Sequence, residues 1–394
     1  MRNKNLIYIT GFFGNFFFER GIWILYLLSI NFTMFQVGIL QAALNLSMFL
    51  MEVPSGIISD KFGRKKALLI GHSMIVVYLC IFLLSSDFYI LLLGHVIFGA
   101  GLTFISGTDQ AYLYDSLKTE GKEKAYGKAI GTYNAIVITA LAIAIGIGGF
   151  MQELSWSYVF IGGIIAQSLA IFLLLFLKEI NFKAIDASKG EGILSELSNF
   201  FKLNTNFKFL VISFSVFFSV TSVFYMFGQE MLNNSGMLVR DIAILFAGLS
   251  ILQAILSIFS YKFSEKYTAK KVLILTFSII GALYIFIAFN NLLLTIISFV
   301  IINALYELVD PISSKVINDE IPSRMRATIL SLVNLVTSLL MFILFPLMGY
   351  AADIVDSTVI LSVLGVLSVI TSIVTIIVFY RMKPNKVSTS NSIA

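Results

Sequence analysis

The stretch "GIISDKFGRKKALLIG", Gly56–Gly71, places five charged residues, Asp60, Lys61, Arg64, Lys65 and Lys66, within seven positions between two long apolar runs. Each run is long enough to cross a bilayer as a helix, for which roughly 20 apolar residues suffice. The charged turn therefore reads as the link between two membrane spans, Thr33–Ile58 and Ala67–Ser85. The same alternation continues along all 394 residues, of which 58% are hydrophobic and 12% charged. Soluble domains are about one quarter charged, and a mean hydropathy of +0.93 excludes that class.

Twelve spans of the required length are predicted. Span 1 is Asn5–Ile30, and after the two around the opening stretch come Tyr89–Ser116, Tyr126–Met151 and Trp156–Leu177. The second six are Phe207–Leu232, Ile242–Tyr261, Val272–Phe289, Leu292–Val316, Ala327–Ala352 and Thr358–Tyr380. The expected organisation is a six-helix bundle over 1–178, a linker over 179–206, a second bundle over 207–381 and a tail over 382–394. Within the linker, Ile193, Leu194, Leu197, Phe200 and Phe201 fall at helical spacing, as on a short amphipathic surface helix; a partly ordered linker is the alternative. Span 1 is too long for the apolar core of a signal peptide and lacks a small-residue cleavage site, so it is expected to remain.

All but two of the 27 lysines and arginines lie at alternate connections, beginning with the N-terminus. The exceptions are Arg20, within span 1, and Arg240, between spans 7 and 8; the other connections on that side carry only acids, among them Asp87, Glu153, Asp353 and Asp356. The excess of basic residues in cytoplasmic loops then puts both termini inside, in a multi-pass protein of the cell membrane. A nucleic-acid surface is not expected, because the charges are spread over seven loops without interleaved aromatics. Cys80 is the only cysteine, so an intramolecular disulfide and a multi-cysteine metal site are both excluded.

The opening turn has a partner: "SDKFGRKKALL" from Ser59 aligns with "SEKYTAKKVLI" from Ser264, in the corresponding turn of the second six spans. A duplicated six-span unit is a transporter plan. "GIISDKFGRKK" resembles the signature loop between helices 2 and 3 of the major facilitator superfamily, and the preceding "EVPSG", Glu52–Gly56, is similar to bacterial efflux-type members. The likeness in layout covers almost the whole chain. Two other family motifs are degraded: span 4 has His95 in "HVIFGAGLTF" where members often carry arginine, and "AIGIGGF" in span 5 has no proline.

Gly63 permits the left-handed conformation that such a short turn needs. Asp60, at the end of span 2, can meet Arg64 or the positive N-terminus of a neighbouring helix, which the resemblance implies is span 11. The packing that the resemblance implies also places Asp115, at the end of span 4, to engage Arg64. With Gly56, these residues form an expected cytoplasmic latch between the halves. The alternative, that the charges only set orientation, suits Lys65 and Lys66 better than an acid.

Ionisable groups inside spans usually face a bundle interior or an aqueous cavity. Spans 3, 6, 9 and 12 contain no acid, lysine or arginine, and the resemblance places those same four at the lipid-facing periphery. Glu19, Arg20, Glu52, Asp109, Glu307 and Asp310 are therefore the candidates for the substrate cavity and for proton coupling. His95, Gly99, Thr103, Ser106 and Asp109 share a polar stripe, with Asp115 about 120° away; Asn303, Glu307 and Asp310 share another. Arg20 is expected to pair with Glu52 or Asp109 across helices. Glu52 and Asp109 lead as proton carriers, followed by Glu307 and Asp310; His95 reads mainly as a packing residue.

"GKEKAYGKA", Gly121–Ala129, has the wrong spacing for a phosphate loop and reads as a basic turn. No nucleotide site, metal pair or nucleophile elbow appears, so neither an enzyme nor a cofactor is expected. The expectation is a monomeric secondary transporter exporting amphipathic small molecules in exchange for protons by alternating access, with lipid as its solvent. A proton-coupled nutrient importer, and a receptor or scaffold on the same fold, are the alternatives.

Overall fold

The computed structural model describes residues 2–179, 204–289, 291–321 and 326–382. The predicted linker helix lies outside them. Among the described residues, eleven helices are long and apolar enough to span a membrane, and there is no strand. The twelfth pass is span 1, which crosses as two short pieces, α1 (Arg2–Gly14) and α2 (Trp23–Ser29), joined by irregular backbone. The first half continues through α3 (Met34–Phe62), α4 (Arg64–Leu84), α5 (Phe88–Ile105), α6 (Thr108–Thr119), α7 (Tyr126–Leu154) and α8 (Trp156–Leu175). The second half comprises α9 (Thr205–Asn234), α10 (Val239–Lys266), α11 (Ala269–Ile287), α12 (Leu292–Glu320), α13 (Arg326–Ala352) and α14 (Ser357–Met382).

The sequence repeat is matched by a packing repeat. In the first half α4 packs on α8, α3 on α5 and α1 on α8; in the second, the equivalent pairs α11 with α14, α10 with α12 and α9 with α14 pack likewise. Across the halves, α3 lies along α13 and α7 along α10, a pair of contacts exchanged by the same pseudo-symmetry, while α2 meets α9 between them. The result is two six-span bundles with the all-α fold of a transporter.

Helix starts are fixed locally. Thr33 and Gln36 form a capping box at α3, and the Asp87 carboxylate accepts from the Tyr89 and Ile90 amides at α5. Asp356 does the same for Thr358 at α14. Gly63, at φ 101°, links α3 to α4 without an intervening loop, and a side chain there would collide with the Glu179 carboxylate.

Two interruptions were not expected. Gly107, at φ 78°, separates α5 from α6, and span 1 leaves the helix from Asn15 to Ile22. A break in hydrocarbon needs other donors and acceptors for its freed backbone groups. Span 1 obtains them from two glutamine side chains, one in each half. The Gln167 amide donates to the Gly14 carbonyl at 2.9 Å, and Gln167 is itself held by His72 Nδ1 at 2.7 Å. From the other half, Gln229 accepts from the Ile24 amide at 3.1 Å and donates to the Arg20 carbonyl at 3.3 Å.

His72 and Gln167 are both buried. Gln167→Leu orphans a carbonyl and an imidazole N–H and is expected to cost about 1–3 kcal/mol. The thermal midpoint of the purified protein should fall accordingly; an unchanged midpoint would show that these bonds do not support the break.

Candidate functional site

Between the halves lie two adjoining cavities that share Asn45 and Met341. The first, about 550 Å³, runs toward the end of the bundle that carries the chain termini, here the terminal end. Glu52, Ser55, Asp60 and Arg64 line one side, Thr103 and Thr108 another, and Ser338 of α13 a third. The second, about 390 Å³, is central. Arg20, Trp23, Gln41 and Asn45 from the first half face Tyr225, Gln229, Gln253, Asn303 and Phe345 from the second. Neither cavity is lined by α8, α11 or α14, and α4 contributes only its first residue, Arg64.

The predicted latch residues divide into two sets. Arg64 Nε meets Asp115 Oδ2 at 2.9 Å, an ion pair wholly inside the first half. Asp60 and Gly56 are exposed on the vestibule, and no side chain at Gly56 would meet anything within 4 Å. Lys65 donates to the carbonyl of Leu175, the last residue of α8, at 2.7 Å and to that of Leu177, just beyond it, at 2.8 Å. Among the described residues, Asp60 makes no ion pair or hydrogen bond with α13.

The cavity acids also separate. Glu52 faces the vestibule. Asp109 does not: its carboxylate accepts from the Tyr133 hydroxyl at 2.6 Å and from the Gln110 amide at 2.7 Å. The stripe His95–Asp109 assumed an unbroken helix, but the turn at Gly107 resets the phase, so that Thr108 and Ala111 line the vestibule instead. His95 is buried among Trp23, Tyr78 and Phe82, with Nδ1 at 3.2 Å from the Leu91 carbonyl, as a packing residue would be.

Arg20 pairs with neither Glu52 nor Asp109; its guanidinium lies 5.9 Å from the centre of the Phe98 ring. Glu19, in the break of span 1, is 1% exposed, and neither carboxyl oxygen has a hydrogen-bond partner. Asn303 is buried at the central cavity; its side-chain amide donates to the Phe299 carbonyl, and its backbone carbonyl accepts from Gln253. Glu307 is half-buried and Asp310 exposed, and neither lines the two cavities.

At the far end, opposite the termini, the halves are in direct contact. Both oxygens of Asp353, just after α13, accept from the first amides of α3: Met34 N at 2.7 Å and Phe35 N at 2.9 Å. A carboxylate of one bundle thus caps a helix of the other, complementing the positive helix terminus. Beside it the backbones touch: a side chain at Gly349 would meet the Met34 carbonyl, and one at Gly38 the carbonyl of Phe345. On the pseudo-symmetric side, Arg240 Nη1 bonds Glu153 at 3.0 Å, and Gly149 lies against Ala243 and Arg240.

A cavity that is closed at one end by matched contacts between two repeated bundles, and open at the other, belongs to a membrane transporter. Sequence comparison agrees: the Major Facilitator Superfamily model matches residues 8–237 and 209–394, and the chain belongs to that family. It is 25% identical over 283 residues to the quinolone resistance protein NorA of Staphylococcus aureus (strain COL), covering 70% of this chain and 71% of that one. To the uncharacterized MFS-type transporter YxaM of Bacillus subtilis (strain 168) it is 26% identical over 156 residues, 40% of this chain and only 37% of the relative's length.

Among solved structures, a mutant form of the nucleoside transporter NupG superposes with a TM-score of 0.79 at 16% identity, covering 97% of this chain and 99% of the other. A D-xylose-proton symporter superposes at 0.66 and 13% identity, covering 94% and 96%. These likenesses establish the fold. The chain is a transporter of small molecules and not an enzyme.

The far-end contacts predict a graded response. Loss of the Asp353 cap in Asp353→Ala should remove about 0.5–2 kcal/mol of closure. The half-exposed Arg240–Glu153 pair should contribute at most about 1 kcal/mol. Gly349→Val, which forces two backbones apart, should open the far end most. Labelling of a cysteine placed at Phe35, in a Cys80→Ser background, measures this as a faster rate from the far side; equal rates in all variants would contradict it.

Proposed function

We propose that the protein is a proton-coupled exporter of amphipathic organic compounds that works by alternating access from a membrane in which both termini are cytoplasmic. The observation that carries this reading is the asymmetry of the path between the halves: a central cavity continuous with a vestibule at the terminal end and sealed at the far end. With the basic loops inside, this is the inward-open state, ready to load substrate from the cytoplasm. The opposite state requires release of the Asp353 and Arg240 contacts and closure at the Gly56–Arg64 turn, where the exposed Asp60 faces α13.

Export is supported by the similarity to NorA and by the mixed lining of the central cavity, in which Trp23, Tyr225 and Phe345 stand opposite amides. Coupling is assigned first to Glu19. It is an acid in the break of a membrane helix, without a hydrogen-bond partner and adjacent in the chain to cavity-lining Arg20, so its environment changes whenever that break repacks. Glu52, which faces the vestibule, is the second site. Asp109, tied to Tyr133, serves the packing of α6 on α7.

A second reading, import of a polar nutrient, draws on the amide side chains of Gln41, Asn45, Gln253 and Asn303 around the cavity. Inverted membrane vesicles with an acidic interior separate the two. The exporter should accumulate compounds from a panel of labelled amphipathic solutes, and collapse of the proton gradient should abolish accumulation. Glu19→Gln should lower it at least tenfold while leaving binding in place. Uptake confined to right-side-out vesicles would favour the importer, and accumulation unaffected by the gradient would remove proton coupling.

A further inference from the structure

We propose that the central cavity selects an amphipathic organic anion, a compound with one carboxylate-like group and an adjoining hydrogen-bonding edge, through Arg20, Gln41 and Asn45. The proposal deepens the transporter reading by naming the substrate class, and does not depend on the direction of transport or on proton coupling.

Four observations support it. First, Arg20 is the one lining residue of the central cavity that carries a full charge; Glu52 and Asp60 line the vestibule instead. Second, its guanidinium has no carboxylate within ion-pair distance among the described residues. Glu19, next to it in sequence, is buried and contributes nothing to the cavity wall. An arginine in a membrane protein interior with only the Phe98 ring beside it and no anionic partner is costly, and a ligand anion would supply one in the planar, two-pronged geometry that guanidinium favours.

Third, two lining residues, Gln41 and Asn45, carry polar atoms that the protein's own hydrogen bonding leaves over. The Gln41 amide donates to Asn45 Oδ1 at 3.1 Å, which locks the two side chains head to tail. That leaves Gln41 Oε1 as an acceptor and Asn45 Nδ2 as a donor, both buried with no partner in the protein. An amide, lactam or hydroxy-acid edge, which offers a donor and an acceptor, would satisfy both atoms once the two side chains turn toward the cavity.

Fourth, beside the amides of Gln229, Gln253 and Asn303 the wall carries Tyr225, Met226, Met341 and Phe345, which are available for the apolar part of the solute. A volume of about 390 Å³ suits a small organic molecule.

The test uses the purified full-length chain and two sets of matched probes. Indoleacetate, indoleacetamide and tryptamine share a ring system and differ in charge, as do phenylpropionate, phenylpropionamide and phenylpropylamine. Binding is read by calorimetry without any proton gradient. The proposal expects the anion of each set to bind at least tenfold more tightly than its neutral and cationic counterparts. Arg20→Gln should bring the anion down to the affinity of the amide while changing the amide little, Arg20→Lys should retain part of the preference, and Gln41→Met should weaken both acid and amide.

A cation that binds most tightly, an anion preference that survives in Arg20→Gln, or failure of both anions to bind at millimolar concentration would overturn it. The ranking is made on the unmodified protein, so it stands even where Arg20→Gln does not fold. Loss of gradient-driven transport in vesicles with the anion ranking intact would count against proton-coupled export alone.

Discussion

Closure of the far end rests on backbone-to-backbone contact between the two bundles. Helices approach this closely only where side chains are absent, and Gly38 and Gly349 provide two places where the backbones of α3 and α13 touch. Asp353 then supplies direction: it accepts the first amides of α3, which no residue within that helix could satisfy. The cap and the glycine contacts act on the same few residues, so the seal forms or opens as a unit. Arg240 and Glu153 contribute less, being partly exposed and therefore screened by water. With this end closed, the bundles diverge toward the termini and the vestibule follows.

The broken first span is the second constraint. Its irregular backbone is held by Gln167 from α8 within its own bundle and by Gln229 from α9 across the interface. Span 1 therefore senses the relative position of the halves through one side chain. The same break places Arg20 on the cavity and buries Glu19 away from it, so a movement of the bundles changes the surroundings of both charges together. With Arg20 and Glu19 in their proposed roles, this physical link would connect substrate binding with coupling.

The sequence made the architecture legible because hydropathy, loop charge and the repeated turn report on the same bilayer. Its ionisable residues also separated peripheral from central helices, since charge is too costly on a lipid-facing helix to occur there by chance. Hydropathy is blind to backbone conformation, so "GNFFFERG", Gly14–Gly21, read as continuous helix; its flanking glycines and adjacent Glu19 and Arg20 were the available signal. Asp109 was placed on the wrong face because one residue at positive φ, Gly107, shifts the phase of everything after it. The far-end cap was not legible at all: Asp353 bonds backbone amides 319 residues away, and a backbone amide has no sequence signature. The amides of Gln41, Asn45 and Gln253 were passed over because uncharged polar residues barely register beside acids in so apolar a chain.

The central claim is that the far end must open for turnover. Phe35 and Tyr350 face each other across it, with ring centroids 6.0 Å apart. Cysteines at these two positions in the Cys80→Ser protein, joined by a short bismaleimide, should abolish transport while leaving binding of substrate from the terminal side intact, and cleavage of a reducible version of the linker should restore turnover. A cross-linked protein that transports at the rate of its unlinked form would contradict the account.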